Sequence, residues 1–400
     1  MDRRQFLHRT SVGSLAALTA SVQPLWSYAA SLTTSPRKFV VLQLSGGNDG
    51  LNTVIPYHDD VYYQNRLTLA YGRDELLRID DRIGLHPSLT ELASLLDKGM
   101  LTLLQGVGYP NPNRSHFESM DLWHTAHAAN RNTGWLGRYL DRAKQTTQPS
   151  AIYVGNGVRP LALQARSSTP LSVRQIDQFR IGSDTSRPVA EEVSRVQADD
   201  DDLTALVAKN LTAALQADAQ LAAVTSAASN VSYPESQLGQ DLKTVAAMIR
   251  AEIPAAVYYV TLDGFDTHAN QRNAHSALLQ QFSAALSAFC KDLSADQLLD
   301  QVLVMAFSEF GRRVKENGSL GTDHGVAGPL FLAGGGLQGG IVGDHPSLTD
   351  LDDGDLKVSL DYRRIYNAVL QDWMELPAGQ HPKDTIILGE YPALPNLFRV

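Results

Sequence analysis

Lys38-Phe39-Val40-Val41-Leu42-Gln43-Leu44, running straight into Ser45-Gly46-Gly47-Asn48-Asp49-Gly50, is the stretch that decides the fold. A near-continuous apolar run that breaks at once into glycine and polar residues reads as a strand buried on both faces. The same pattern recurs. Residues 101–107 (LTLLQGV) end at Gly108, and residues 151–154 at Gly155-Asn156-Gly157. Residues 255–262 (AAVYYVTL) run into Asp263-Gly264-Phe265-Asp266, and residues 301–307 (QVLVMAF) into Ser308-Glu309-Phe310-Gly311. Residues 329–333 end at Gly334-Gly335-Gly336. Between these runs, residues 87–98, 116–129, 274–293 and 362–373 place apolar side chains at helical spacing. Strands alternating with helices predict an α/β fold: a mainly parallel central sheet with helices on both faces. Ligands of such sheets bind beyond the carboxyl ends of the strands. The polar clusters of this chain fall at those ends.

The first residues read separately. Asp2-Arg3-Arg4-Gln5-Phe6-Leu7 is the paired arginine of a twin-arginine export signal. A weakly apolar stretch, residues 11–22, follows it, then Pro24 and a small-residue exit at Ser27-Tyr28-Ala29-Ala30. The stretch is shorter than the roughly 20 apolar residues of a membrane span, so residues 1–30 are expected to be cleaved rather than to anchor the chain. The expected partner is the twin-arginine export machinery, and the expected location is the periplasm or another exported compartment. That route carries proteins already folded, often around a cofactor.

Cutting after Ala29 leaves 31 basic and 42 acidic residues, a formal net charge of −11. Such a balance argues against a nucleic-acid surface. With 43% hydrophobic and 19% charged residues, the composition is that of an ordinary globular protein. Residues 31–400 are expected to form one α/β domain, with a helical insertion or cap at about 160–255. Within that span, Asp199-Asp200-Asp201-Asp202 reads as a solvated helix start, since it lacks the spaced ligands and glycine of a calcium loop. Cys290 is the single cysteine and excludes an intrachain disulfide. Its helical apolar context predicts a buried helix face, not a nucleophile.

Four clusters carry chemistry. In 45–52, Asn48 and Asp49 would project into the crevice as metal ligands or anion partners, or else cap a Gly-Asn-Asp turn. No GxGxxG dinucleotide fingerprint is present there. In 110–119, Ser115 and His116 stand at a helix start, as nucleophile and neighbouring base or as the N-cap of a Ser-x-x-Glu box closed by Glu118. Asp263, Asp266 and His268 then offer two carboxylates and an imidazole within six residues, a set suited to Zn or Mn, with Mg or Ca as further possibilities. Finally, Glu309 ends a strand, and Asp323-His324 lies in a glycine-flanked loop. Arg114, Arg312 and Arg313 stand beside these clusters and could hold an anionic oxygen.

The segments LSGGNDGLNTVIP, PNRSHFESMDLW, LDGFDTHANQ, FSEFGRR and GTDHG, together with the export signal, resemble the exported bacterial family known as domain of unknown function 1501. That resemblance covers most of the mature chain and places it in the alkaline phosphatase and sulfatase superfamily. It implies an alkaline-phosphatase-like sandwich, one or two divalent metal ions, and attack on a phosphate or sulfate ester by a hydroxyl. Carried over residue by residue, it implies an acidic first-strand ligand at Asp49 or Asn48 and a nucleophile at Ser115. It further implies a site at Asp263 or Asp266 with His268, and a last ligand at His324. The sequence departs from the superfamily pattern where Asp-His-Gly is common, reading Ser308-Glu309-Phe310-Gly311 instead. That leaves the number of ions open. The Cys-x-Pro-x-Arg segment of typical sulfatases is missing, so formylglycine chemistry is not expected. The functions expected are a metal-dependent hydrolase of small or polysaccharide anionic esters or, alternatively, a non-catalytic binding or assembly protein on the same fold.

Overall fold

A computed structural model describes residues 37–129, 131–143, 150–173, 229–376 and 385–399. The export signal, the Asp199–Asp202 run and the middle of the expected insertion lie outside the described residues.

A nine-stranded sheet forms the centre. Its strands are β1 (Lys38–Ser45), β2 (Leu101–Gly108), β3 (Ser150–Val154), β4 (Leu171–Val173) and β5 (Ala255–Asp263), then β6 (Val302–Phe307), β7 (Gly328–Gly334), β8 (Gly340–Val342) and β9 (Leu360–Asp361). Their spatial order is β8-β2-β7-β6-β1-β5-β3-β4, with β9 also pairing β2. β1 lies between β5 and β6 and is parallel to both. Only β7 runs against its neighbours, antiparallel to β2 and β6. The reason is the connection: residues 308–327 return from the end of β6 without a crossover helix, so the chain comes back in the opposite direction.

Successive side chains of the central strands enter opposite layers, as a period of two requires. Val40, Leu42, Leu44, Val260 and Val304 face one layer with α1 (Thr90–Asp97), α4 (Gln237–Arg250) and α5 (Gln271–Ala295). Phe39, Val41, Val257, Leu303 and Met305 face the other, with α2 (His116–Thr125), α3 (Trp135–Ala143) and α6 (Tyr362–Ala368). This is the expected α/β sandwich with helices on both faces. Cys290 is fully buried in α5, and burial pushes its thiol up to about 12. Among the described residues, no helix is long and apolar enough to cross a membrane.

Three details differ from the sequence reading. The α2 helix stops at Thr125, where Ala126 turns left-handed at φ 55°. The helix expected over 362–373 changes to a π-helical turn over Val369–Trp373, closed by the Met374 N–H on the Val369 carbonyl (2.8 Å). The ends of the span expected as an insertion belong to the main body. β4 extends the sheet there, and α4 buries Leu242, Val245 and Ile249 in its core.

Candidate metal and catalytic site

The carboxyl ends of β1, β5 and β6 lie side by side, and the loops leaving them meet the start of α2. Gly46, just beyond β1, has φ 115°; a Cβ there would come within 2.5 Å of the Asp266 backbone nitrogen. Glycine therefore lets the β1 loop and the β5 loop touch. Residues 311–313 and 323–326 pair back on each other, with Arg312 opposite His324 in an isolated antiparallel bridge.

Arg312 is buried and uses its whole guanidinium as a clamp. It donates to the carbonyls of Gly47 (2.7 Å), Thr322 (2.8 Å) and Phe265 (3.0 Å), to that of Gly46, and to Asp266 Oδ1 (2.7 Å). All three nitrogens are engaged and the side chain is buried, so the expected substrate-binding role of Arg312 gives way to a structural one. The Asp266 carboxylate would be pushed up by burial, but the Arg312 guanidinium bonded to it holds it well below the usual range.

Three imidazoles surround Asp266 Oδ1. His324 Nε2 and His268 Nε2 each lie 3.1 Å from it, and His116 Nε2 lies 3.3 Å away. The two Nε2 atoms of His268 and His324 are 2.9 Å apart. In every ring the other nitrogen faces an oxygen that can only accept. His116 Nδ1 donates to Glu309 Oε1 (2.7 Å), His324 Nδ1 to the Arg114 carbonyl (2.7 Å), and His268 Nδ1 to Asp323 Oδ1 (3.3 Å). In the neutral rings this fixes the proton on Nδ1 and leaves the Nε2 lone pairs of all three turned toward one point. His116 Nε2 is buried and makes no hydrogen bond. One donor atom each from His116, Asp266 and His324 lies within 4.8 Å of the others, as ligands of a single ion would. The hydrogen bond that His116 donates to Glu309 raises the His116 pKa, whereas burial lowers that of His324.

The remaining expected site residues are placed elsewhere. Glu309, read as a ligand, stands one shell out: it accepts from Gly46 N–H (2.9 Å) and Ser308 Oγ (3.0 Å) and orients His116, as carboxylates behind metal-binding histidines do. Asp323 stands behind His268 in the same way. Asp49, also read as a ligand, is fully buried against Arg66 (2.5 Å and 3.1 Å) and Gln271, away from the three imidazoles. Burial pushes its carboxyl up, but Arg66 and the Gln271 hydrogen bond hold it below the usual carboxylate range. Asn48 is buried too, its Oδ1 accepting from His275 Nε2 (2.9 Å) and Thr53 Oγ1 (3.1 Å). Asp263 is exposed at the end of β5 and is outside the group. Arg114 turns its guanidinium to Asp353 and Asp355.

Ser115 occupies the N-cap position of α2, yet its hydroxyl caps nothing, and Glu118 pairs with Arg131 instead of closing a capping box. It stands between Arg114, whose carbonyl holds His324, and His116 itself. Arg66, Gln271 and Asp355 went unread in the sequence. Nothing in their local pattern marks them: Gln271 and Asp355 reach partners more than 200 residues away, and Arg66 pairs Asp49 across a loop while also bonding the distant Val314 carbonyl.

Comparison with known proteins follows from this geometry. No curated protein matches the chain by sequence. Among solved structures, it is similar to the C-terminal periplasmic domain of EcEptC from Escherichia coli in complex with Zn, at 11% identity, covering 74% of this chain and 73% of that one with a TM-score of 0.38. It is similar to the PsFucS1 sulfatase from Pseudoalteromonas sp. at 11% identity, covering 100% and 78% with a TM-score of 0.42. It is also similar to the alkaline phosphatase from the Antarctic bacterium TAB5 at 10% identity, covering 75% and 92% with a TM-score of 0.30. By sequence, the motifs that build the site fall inside one family match spanning residues 36–386, and the chain belongs to the family described as Protein of unknown function (DUF1501).

Proposed function

We propose that this protein holds one divalent metal ion at His116, Asp266 and His324, with His268 alongside, and hydrolyses a phosphate or sulfate ester outside the cytoplasm. The observation that carries the reading is the convergence of three Nε2 lone pairs on one carboxylate oxygen. Lone pairs and a carboxylate repel one another, so the arrangement favours a cation. The donor set suits Zn or Mn. A single ion is proposed because Asp49 and Glu309 are already committed to protein donors.

When bound, the ion would polarise an ester oxygen and lower the pKa of an attacking hydroxyl. The chain supplies the rest. Ser115 offers an uncapped hydroxyl at a helix N-terminus, where developing negative charge is favoured. Glu309 and the Arg114 carbonyl keep the Nδ1 protons of His116 and His324 in place, so both Nε2 atoms remain donors to the ion. Export through the twin-arginine route, read from residues 1–30, is part of the proposal.

The test is elemental analysis of protein purified without chelator, followed by an ester screen. About one equivalent of Zn or Mn should be found, and it should be lost in Asp266→Ala and His324→Ala. Ser115→Ala should keep the metal and lose turnover by about 10³-fold or more. Metal bound with no turnover on any ester would favour the non-catalytic reading. No metal in folded protein would end the proposal.

A further inference from the structure

Two arginines flank the site with side chains that it does not use. Arg114 directly precedes Ser115, and Arg313 directly follows the Arg312 clamp, its N–H donating to the Asp323 carbonyl (3.0 Å). Their guanidiniums share two carboxylates of unlike character. Asp355 is buried; it accepts from Arg114 Nε (2.8 Å) and lies 3.6 Å from Arg313 Nε. It fixes the two cations side by side. Asp353 has a side chain 76% exposed, and its Oδ2 lies 3.1 Å from Arg114 Nη2 and 3.3 Å from Arg313 Nη2.

Asp353 sits at the tip of a two-residue hairpin. Leu351–Asp352 pairs with Asp355–Leu356 through Asp353 and Gly354, which have φ 51° and 81°. Asp-Gly is the preferred sequence for such a turn, so the tip is an unstrained, exposed element resting on the arginines. One carboxylate is therefore built into the base of the arginine pair, and the other covers it from solvent. Exposed ion pairs are weak, so the cover is exchangeable.

We propose that Arg114 and Arg313 form an anion subsite beside the metal site, that Asp353 is its resident occupant, and that the substrate carries a second anionic group which displaces it. With Asp353 in place the four charges balance. With Asp353 removed, the pair has a net positive charge facing solvent, and two guanidiniums suit a planar or tetrahedral oxyanion. The inference rests on the ester-hydrolase reading for its substrate, whereas the subsite itself is testable without turnover.

Inorganic sulfate is the probe, titrated calorimetrically into the full exported protein with and without chelator. Asp353→Asn should tighten sulfate binding by about tenfold, since the internal competitor is weakened. Arg313→Ala should remove the gain, alone and combined with Asp353→Asn, and thermal melts should show all variants folded. Binding that survives chelator places the sulfate on the arginines rather than on the metal. The proposal is overturned if Asp353→Asn binds no tighter than the parent protein, or if chelator abolishes the binding. Failure of the hydrolase reading would leave these titrations unchanged.

Discussion

Glu309 shows how much a single carboxylate can do without touching a metal. Its side chain joins the Gly46 N–H beyond β1 to the His116 ring at the start of α2. Its carbonyl accepts from Ser119 Oγ (2.6 Å) and Trp123 Nε1 (2.9 Å) of the same helix. Removing a carboxylate behind a metal-binding histidine typically lowers metal affinity 10–100-fold. Glu309→Gln should keep an acceptor for His116 Nδ1 and weaken metal binding by about tenfold. Glu309→Ala should weaken it by about 100-fold and destabilise the fold by about 2–3 kcal/mol, because buried donors are left unpaired. Competition against a chromogenic chelator measures both, and a Glu309→Gln protein with unchanged affinity would reject the role. The sequence marked Glu309 as functional because it falls at the carboxyl end of a predicted strand, where ligands of such sheets bind. Its distance from the ion was not legible: whether Glu309 faces the crevice or the Gly46 N–H depends on how β1 and β6 are registered. Asp49 misled for a related reason, since its partner Arg66 is an unremarkable arginine until the chain folds.

The elements that hold the site are loops braced against one another, and their close contacts are what substitutions should expose. Gly46 combines φ 115° with a Cβ position 2.5 Å from the Asp266 nitrogen. Gly46→Ala should therefore lower stability by more than about 1 kcal/mol and also weaken metal binding, because Asp266 must move. Gly318, exposed with nothing within 4 Å of its Cβ position, provides the control: Gly318→Ala should change neither. Equal effects at the two positions, read from thermal melts and metal titration, would contradict the picture of loops in contact. At this scale the sequence was most informative where periodicity was strong. The six apolar runs are strands, and the expected α1, α2, α5 and α6 are present. The direction of β7 was not readable, because nothing in residues 329–333 tells whether the preceding loop returns or crosses over. The α4 helix was read as part of an insertion since it follows the Ala-rich acidic stretch. Its burial is a matter of which sheet face it meets.

Across the whole molecule, buried titratable groups set how stability should respond to acid. Burial lowers His86 and His124 to about 3 and His275 to about 4, so each stays neutral in the fold where the unfolded chain would be charged. Stability from a lowered histidine is full above its ordinary value of 6.5 and is lost as pH falls toward the folded value. Asp241 works the other way. Burial raises it to about 6, so its contribution is present below 3.8 and is lost as pH rises through 6. At pH 5, unfolding then takes up about three protons on the histidines and releases about one from Asp241, a net uptake of about two. His324 and His345 are lowered as well and add to the uptake, while burial raises Asp355 and Asp372, which offset it. Stability should fall with pH by about 2.7 kcal/mol per unit near pH 5, the product of two protons and 1.36 kcal/mol. Urea unfolding of the metal-free protein at pH 4.5, 5.5 and 6.5 measures that slope. His275 donates from Nε2 to Asn48 Oδ1 (2.9 Å), a bond that Gln can imitate without titrating. His275→Gln should therefore remove about one proton's share of the slope, roughly half of it. A slope near zero in the parent protein would mean that these imidazoles reach solvent and protonate in the fold. A parent slope as expected but untouched by His275→Gln would exclude His275 and assign the acid sensitivity to His86, His124, His324 and His345.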